Sequence, residues 1–247
     1  MINHYIYDGS FNGLLTSIYD AYYTPQKPDK ILNYEKREDN FLVKEILIDT
    51  DENKAKKVYE AIDSKISPSA LRKIYYAYLS EIDDIEMDIL NYIRLGFKIG
   101  ADIEFNLRDD LVLKIEQTHK KVSRERHRLT GLIRFKELKN NILYAETSPD
   151  YNVIGILAPH FIRRLSNENF IIHDKKRKIA VFYNTREWII REVEGNLNII
   201  FNEDEKDYQK LWKMYFKSIS IEEKFNPKLQ RSNMPKKYWK YLIEKGG

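Results

Sequence analysis

No cysteine occurs among the 247 residues. That absence excludes disulfides, a thiolate nucleophile, cysteine-held zinc and a cysteine-ligated iron–sulfur cluster. No cofactor is expected in this chain, and chemistry of that kind would belong to a partner. Glycine (9) and proline (7) are sparse, and no GxGxxG or GxxxxGK[ST] loop is present, so neither dinucleotide nor P-loop binding is indicated. No serine stands in a GxSxG turn, which removes the α/β-hydrolase nucleophile. No apolar run approaches the roughly 18 residues of a membrane helix, and Met1-Ile2-Asn3-His4-Tyr5 lacks a basic region followed by an apolar one. A cytoplasmic location without membrane contact is the expectation.

Hydrophobic residues make up 43% and charged residues 32%, the balance of a soluble globular protein. Lys and Arg total 42 against 38 Asp and Glu, an excess too small to indicate nucleic acid by itself. Its placement along the chain is uneven. Tyr78 to Asp110 carries nine acids against three bases, His119 to Lys139 eight bases against two acids, and Lys224 to Gly247 seven bases against one acid. The last two stretches would form one basic surface only if the fold made them adjacent.

The periodicity predicts an α+β fold: a small N-terminal strand–helix unit, a helical layer in the middle and an antiparallel sheet in the second half. Tyr5 to Tyr7 reads as a strand that turns through Asp8-Gly9-Ser10 into a helix carrying Phe11, Leu14, Leu15, Ile18 and Tyr22. Val43 to Ile48 reads as a second strand, and helices follow on the Val58, Ile62, Ile66 stripe, after Ser67-Pro68, on the Ile85 to Phe97 stripe and from about Leu107. From Leu129 the period changes to two, and Asn140-Asn141 signals a hairpin into Ile142 to Thr147. A short helix from Asn152 to Arg164 precedes strands at Phe170 to His173, Ile179 to Tyr183, Glu187 to Val193 and Leu197 to Phe201, then a longer helix with Tyr208, Leu211 and Trp212. We expect one globular unit, 1–247, divisible into a mostly helical subdomain, 1–126, and an antiparallel sheet with flanking helices, 127–247.

The densest polar constellation falls in the second half: His127-Arg128, Arg134, then His160, Arg163 and Arg164 on the short helix, then His173-Asp174 with Arg177. Histidine titrates near neutrality and arginine grips phosphate oxygens in a bidentate fork, so these residues together suit a phosphodiester or nucleotide. Each has a plainer reading as well. His160 shares an apolar helix face with Ile156, Leu157 and Phe161 and can be a core histidine bonded to a carbonyl. Arg134 can be an exposed sheet residue, and Asp174 to Arg177 a hairpin turn. His127, His160, His173 and Asp174 are candidates for acid–base chemistry. A metal site is not expected, because no pair has HExxH spacing and the surrounding arginines disfavour a dication. Near the C-terminus, Arg231, Lys236 and Lys237 interleave with Tyr238 and Trp239, a mixture that suits single-stranded nucleic acid, although the aromatics can equally be the core face of a helix.

These blocks resemble an uncharacterised bacterial family, domain of unknown function 4130, usually labelled a probable DNA metabolism protein. The resemblance rests on Tyr7-Asp8-Gly9-Ser10-Phe11, on His127-Arg128-Leu129 with Ile133-Arg134-Phe135, and on His160-Phe161 with Arg163-Arg164. It continues through Ile172-His173-Asp174 with Arg177, Asn226-Pro227-Lys228-Leu229-Gln230-Arg231 and Met234-Pro235-Lys236-Lys237-Tyr238-Trp239. It implies a role in DNA metabolism or repair beside a radical-SAM partner. It carries no established reaction, and because the chain ends at Gly247 the glycosylase-like domain of some relatives is not expected. The leading expectation is a DNA-binding accessory subunit, with Arg128, Arg134, Arg163, Arg164, Arg177, Arg231, Lys236 and Lys237 on phosphates. The alternatives are an enzyme using a histidine beside Asp174 or Glu146 as general acid or base, and a scaffold that docks a protein partner.

Overall fold

A computed structural model describes residues 2–37, 40–193, 199–219 and 226–245. They divide into two compact units, Met1–Ser123 and Arg124–Gly247.

In the first unit, β1 (Ile2–Tyr7) is the middle strand of a three-stranded parallel sheet, between β2 (Lys30–Asn33) and β3 (Val43–Leu47). Parallel neighbours require crossovers. α1 (Phe11–Tyr23) links β1 to β2, and its face of Leu14, Leu15, Ile18 and Ala21 is fully buried. α2 (Glu52–Lys65), α3 (Pro68–Tyr78) and α4 (Ile85–Ile99) complete the helical layer. Asp51 and Ser67 cap α2 and α3 by accepting from backbone N–H groups two or three residues on. β2 is absent from the sequence-based expectation because four residues are too few to display a period.

The start of α1 shows why Gly13 is needed. Ser10 Oγ caps the helix by accepting from Gly13 N at 2.9 Å. The Asp8 carboxylate, bonded to Ser10 N (2.9 Å), Ser10 Oγ (2.7 Å) and Thr50 Oγ1 (2.8 Å), fills the space beside it. A Cβ at position 13 would stand 2.2 Å from Asp8 Oδ1 and 2.9 Å from Thr50 Oγ1, and Asp8 cannot step aside without giving up those bonds. Helix propensity alone predicts that Gly13→Ala adds about 1 kcal/mol of stability. We expect the reverse, a loss of about 1–3 kcal/mol by overpacking, read from urea denaturation midpoints.

α5 (Asp110–Leu132) belongs to the first unit up to Ser123 and to the second from Arg124. The expected change to strand at Leu129 does not occur, because Val122, Glu125, Leu129 and Leu132 continue one buried stripe at helical spacing. Only Lys136–Glu137 (β4) pairs with β5 (Leu143–Thr147), across a turn in which Asn141 takes φ +58°. The sheet of the second unit runs β4-β5-β6-β7-β8, with β6 at Phe170–Asp174, β7 at Ile179–Tyr183 and β8 at Trp188–Glu192. Its pairings are antiparallel except β5–β6, which is parallel because α6 (Ile154–Arg164) crosses between them. The fold is thus α+β, with an antiparallel-rich sheet in the second half.

α6 lies against β6 and β7. Phe161 meets Phe135 edge-on at 5.3 Å, Phe135 meets Phe170 at 5.7 Å, and Gly155 abuts Ile190. This defines the core face of the sheet, which carries Ala145, Ile172 and Val181. Strand alternation puts Lys136, Tyr144, Glu146, Ile171, His173 and Phe182 on the other face. α7 (Glu205–Ile219), α8 (Pro227–Asn233) and a 3₁₀ segment at Lys236–Tyr241 follow. The expected strand from Leu197 to Phe201 lies partly outside the described residues; Phe201 forms a single bridge with Leu138. Tyr238 and Leu242 are buried, as the core reading of the C-terminal aromatics requires.

Candidate functional site

α6 carries His160, Arg163 and Arg164, and α5 brings a third guanidinium beside them. Pro159 has no N–H to give to the preceding turn, and the neighbouring Ile156 carbonyl accepts Arg126 Nε at 3.0 Å. This contact fixes Arg126 against α6. His160 stands edge-on to Phe161 at 4.9 Å, and its Nε2 is buried with no hydrogen-bond partner. Burial first, and then the charges of Arg164, Arg163 and Arg126, hold the imidazole below the ordinary histidine range. The ring is therefore neutral at pH 7. Among the described residues none of those three guanidinium groups is ion-paired to a carboxylate. Arg163 and Arg164 are exposed, and neither makes a hydrogen bond or ion pair among the described residues. Both also sit favourably at the negative end of the α6 dipole.

Other cations of the sequence-based set have internal partners. Arg134 grips Glu244 through Nη2 at 2.6 Å and Nε at 3.3 Å, and its Nη1 donates to the Gly131 and Ile133 carbonyls. It is neither a free sheet-face cation nor a free phosphate ligand. Arg177 holds Asp174 Oδ2 at 3.0 Å and donates to the Pro149 and Asp150 carbonyls. Lys237 pairs with Glu125 and Asp150. Arg128 donates to the Ser232 carbonyl at 2.9 Å, and Arg231 to the Pro227 carbonyl within α8. Lys236 and His127 are exposed.

His173 and Asp174 are successive strand residues, so they face opposite sides of the sheet. Asp174 is fully buried and opens the turn to β7, accepting from Lys176 N at 2.9 Å and Arg177 N at 3.3 Å. Burial pushes its carboxyl up, against the opposing pull of Arg177. His173 instead joins a chain on the face away from α6. Tyr144 Oη donates to Glu146 Oε1 at 3.0 Å and lies 2.8 Å from His173 Nδ1. With the Tyr144 hydroxyl donating to Glu146, its oxygen is left to accept from His173 Nδ1–H in the Nδ1-protonated tautomer. Burial, then Lys175, lowers the His173 pKa, favouring the neutral ring. Beside this chain lies a small polar cavity bordered by Lys136, Tyr144, Glu146, Lys240 and Tyr241.

Sequence reasoning missed Arg126, Tyr144, Lys136 and Lys240. Arg126 lies one helical turn after Val122, and that spacing does not say which helix it meets. Tyr144 and Glu146 alternate along one strand, but their pairing with His173 needs the register Glu146↔His173. Among the described residues no group of three or more His, Asp or Glu is arranged to hold a metal ion. No helix of the described residues is long and apolar enough to cross a membrane.

A family model described as a domain of unknown function (DUF4130) matches residues 83–244, well over half the chain. The chain belongs to that family. The match takes in α4, α5 and the second unit as far as Glu244, so both the α6 arginine cluster and the Glu146–Tyr144–His173 chain lie within the DUF4130 region. The parallel sheet of the first unit lies before it. No curated protein matches the sequence.

Proposed function

We propose that the protein is a nucleic-acid-binding accessory subunit in DNA metabolism or repair, and that Arg126, Arg163 and Arg164, grouped around His160, receive backbone phosphates. The observation that carries this reading is a cluster of three guanidinium groups: Arg163 and Arg164 are exposed at the end of α6, Arg126 of α5 is held against the Ile156 carbonyl of that helix, and none of the three is ion-paired among the described residues. Each guanidinium offers a planar fork of donors matched to phosphate oxygens. The sequence resemblance supports the DNA context and a radical-SAM partner. With no cysteine in this chain, any iron–sulfur cluster would sit in that partner.

Fluorescence anisotropy of labelled single- and double-stranded DNA, titrated with salt, tests the proposal. Wild-type binding is expected to weaken linearly on a log–log salt plot. In an Arg163→Ala Arg164→Ala double variant, the slope is expected to shrink by about two, one per lost phosphate contact. An unchanged slope and affinity in the folded variant would remove phosphate binding from α6. An absence of wild-type binding at low salt would remove nucleic acid altogether.

A further inference from the structure

The cavity on the sheet face away from α6 holds positive charge that the arginine cluster does not explain. Its free volume is about 30 Å³, room for about two water-sized groups. Two of the charged groups on its border are already neutralised. Arg134 is closed onto Glu244, and Glu146 Oε1 receives Tyr144 Oη at 3.0 Å and lies 3.4 Å from Lys175 Nζ. Lys136 and Lys240 remain. The Lys136 ammonium lies 5.5 Å from the Phe201 ring centroid and that of Lys240 4.8 Å from Tyr241. Neither has a carboxylate partner among the described residues. A ring face attracts an ammonium without using up its donors, so both keep N–H groups to give. Two like charges bordering one cavity repel, and an anion between them removes that repulsion.

We propose that this cavity binds a phosphomonoester between Lys136 and Lys240, as the terminal phosphate of a nucleotide or of a nucleic-acid end. Charge selects this class. Two unneutralised ammonium groups match a group carrying about −1.5 to −2 at neutral pH. An in-chain phosphodiester carries one charge, which leaves one of the two ammonium groups unmatched. Lysine binds phosphate as a point charge and needs no bidentate geometry. The hydroxyl of Tyr241, held 2.5 Å from Ser148 Oγ, borders the same space. The inference rests on this cavity and is independent of the α6 arginines.

Isothermal titration calorimetry of the full chain with adenosine 5′-monophosphate against adenosine, and with a 5′-phosphorylated oligonucleotide against its unphosphorylated form, tests it. The phosphorylated member of at least one pair is expected to bind about tenfold more tightly, and inorganic phosphate to compete. Lys136→Gln and Lys240→Gln are each expected to weaken that binding about tenfold. Both lysines reach solvent, and an unchanged melting temperature would confirm that the variants fold. A phosphate preference with the monophosphate points to a free nucleotide, and a preference confined to the oligonucleotide points to a nucleic-acid end; both support the site. Equal binding within both pairs overturns it, as does a preference that survives both substitutions. The Arg163→Ala Arg164→Ala variant is expected to keep the terminal-phosphate preference, so failure here and failure of the α6 reading give different results.

Discussion

Glu125→Ala is expected to destabilise the protein by about 3–5 kcal/mol, the cost of removing one partner from a buried charged network. Glu125 is only 5% exposed, and its carboxylate on α5 gathers four donors from two other parts of the second unit. Oε1 accepts from Asp150 N at 3.0 Å, from Lys237 Nζ at 2.5 Å and from the Tyr238 hydroxyl, and Oε2 accepts from Tyr151 N at 2.9 Å. The C-terminal half of α5, the loop before α6 and the C-terminal 3₁₀ segment therefore meet on one side chain. Alanine leaves two backbone N–H groups and a buried phenol without their acceptor and the Lys237 ammonium with Asp150 alone, and each unmet buried donor costs about 1–3 kcal/mol before relaxation. In a protein of this size that corresponds to a fall of about 10 °C in melting temperature. Urea denaturation and thermal melting both read it. A loss below about 1 kcal/mol would mean that water replaces the carboxylate and that the junction is weaker than its geometry indicates.

Arg134→Ala is expected to cost a similar amount, about 3–5 kcal/mol, for a related reason. It leaves the Glu244 carboxylate, whose side chain is 0% exposed, with Trp212 Nε1 at 3.0 Å as its remaining side-chain donor among the described residues. It also removes the guanidinium from the Trp212 ring, 5.4 Å away. Burial alone would raise the Glu244 carboxyl, but the hydrogen bonds from Arg134, from its own backbone N–H and from Trp212, together with the Arg134 charge, outweigh it and hold the group below the usual carboxylate range. A depressed folded pKa stabilises above the unfolded value, about 4.3 for Glu, and that contribution is lost as the pH falls through the lower folded value. The gap in stability between wild type and Arg134→Ala is therefore expected to be full at neutral pH and to narrow on acidification below the ordinary Glu range. A gap independent of pH would assign the loss to packing against Trp212. The salt slope of DNA binding by this variant, measured where it is folded, is expected to stay at the wild-type value, because the guanidinium is committed to Glu244.

Much of the helical layer was legible because its signals are local. Ser10, Asp51 and Ser67 stand where a capping oxygen must precede an apolar stripe, and each accepts the N-terminal N–H bonds that the pattern implies. Asn141 was legible for a similar reason, since asparagine tolerates the left-handed conformation that the turn before β5 demands. Misreadings arose where two periods overlap. Leu129 and Ile133 fit both a strand and the last turn of α5, and burial of Leu129 and Leu132 on the helical stripe decided for the helix. The parallel pairing of β5 with β6 was not legible, because it depends on where α6 delivers the chain.

At the candidate sites the same division appears. Clusters of arginine, lysine and histidine can be read from composition along the chain, and so can the absence of any thiol chemistry. Which of those charges is free cannot, because that depends on carboxylates distant in sequence. Glu244 meets Arg134 across 110 positions and Glu125 meets Lys237 across 112. By itself, then, the sequence determined the α+β class, the helix caps, the exclusion of cysteine chemistry and the basic character of the second half. Tertiary structure decided that Arg134, Arg177 and Lys237 serve internal carboxylates while Arg163 and Arg164 remain exposed, and that Glu146, Tyr144 and His173 form one chain. The physical reason is range: propensity and capping act within a turn of helix, whereas desolvation and ion pairing depend on whatever the fold brings within a few ångströms.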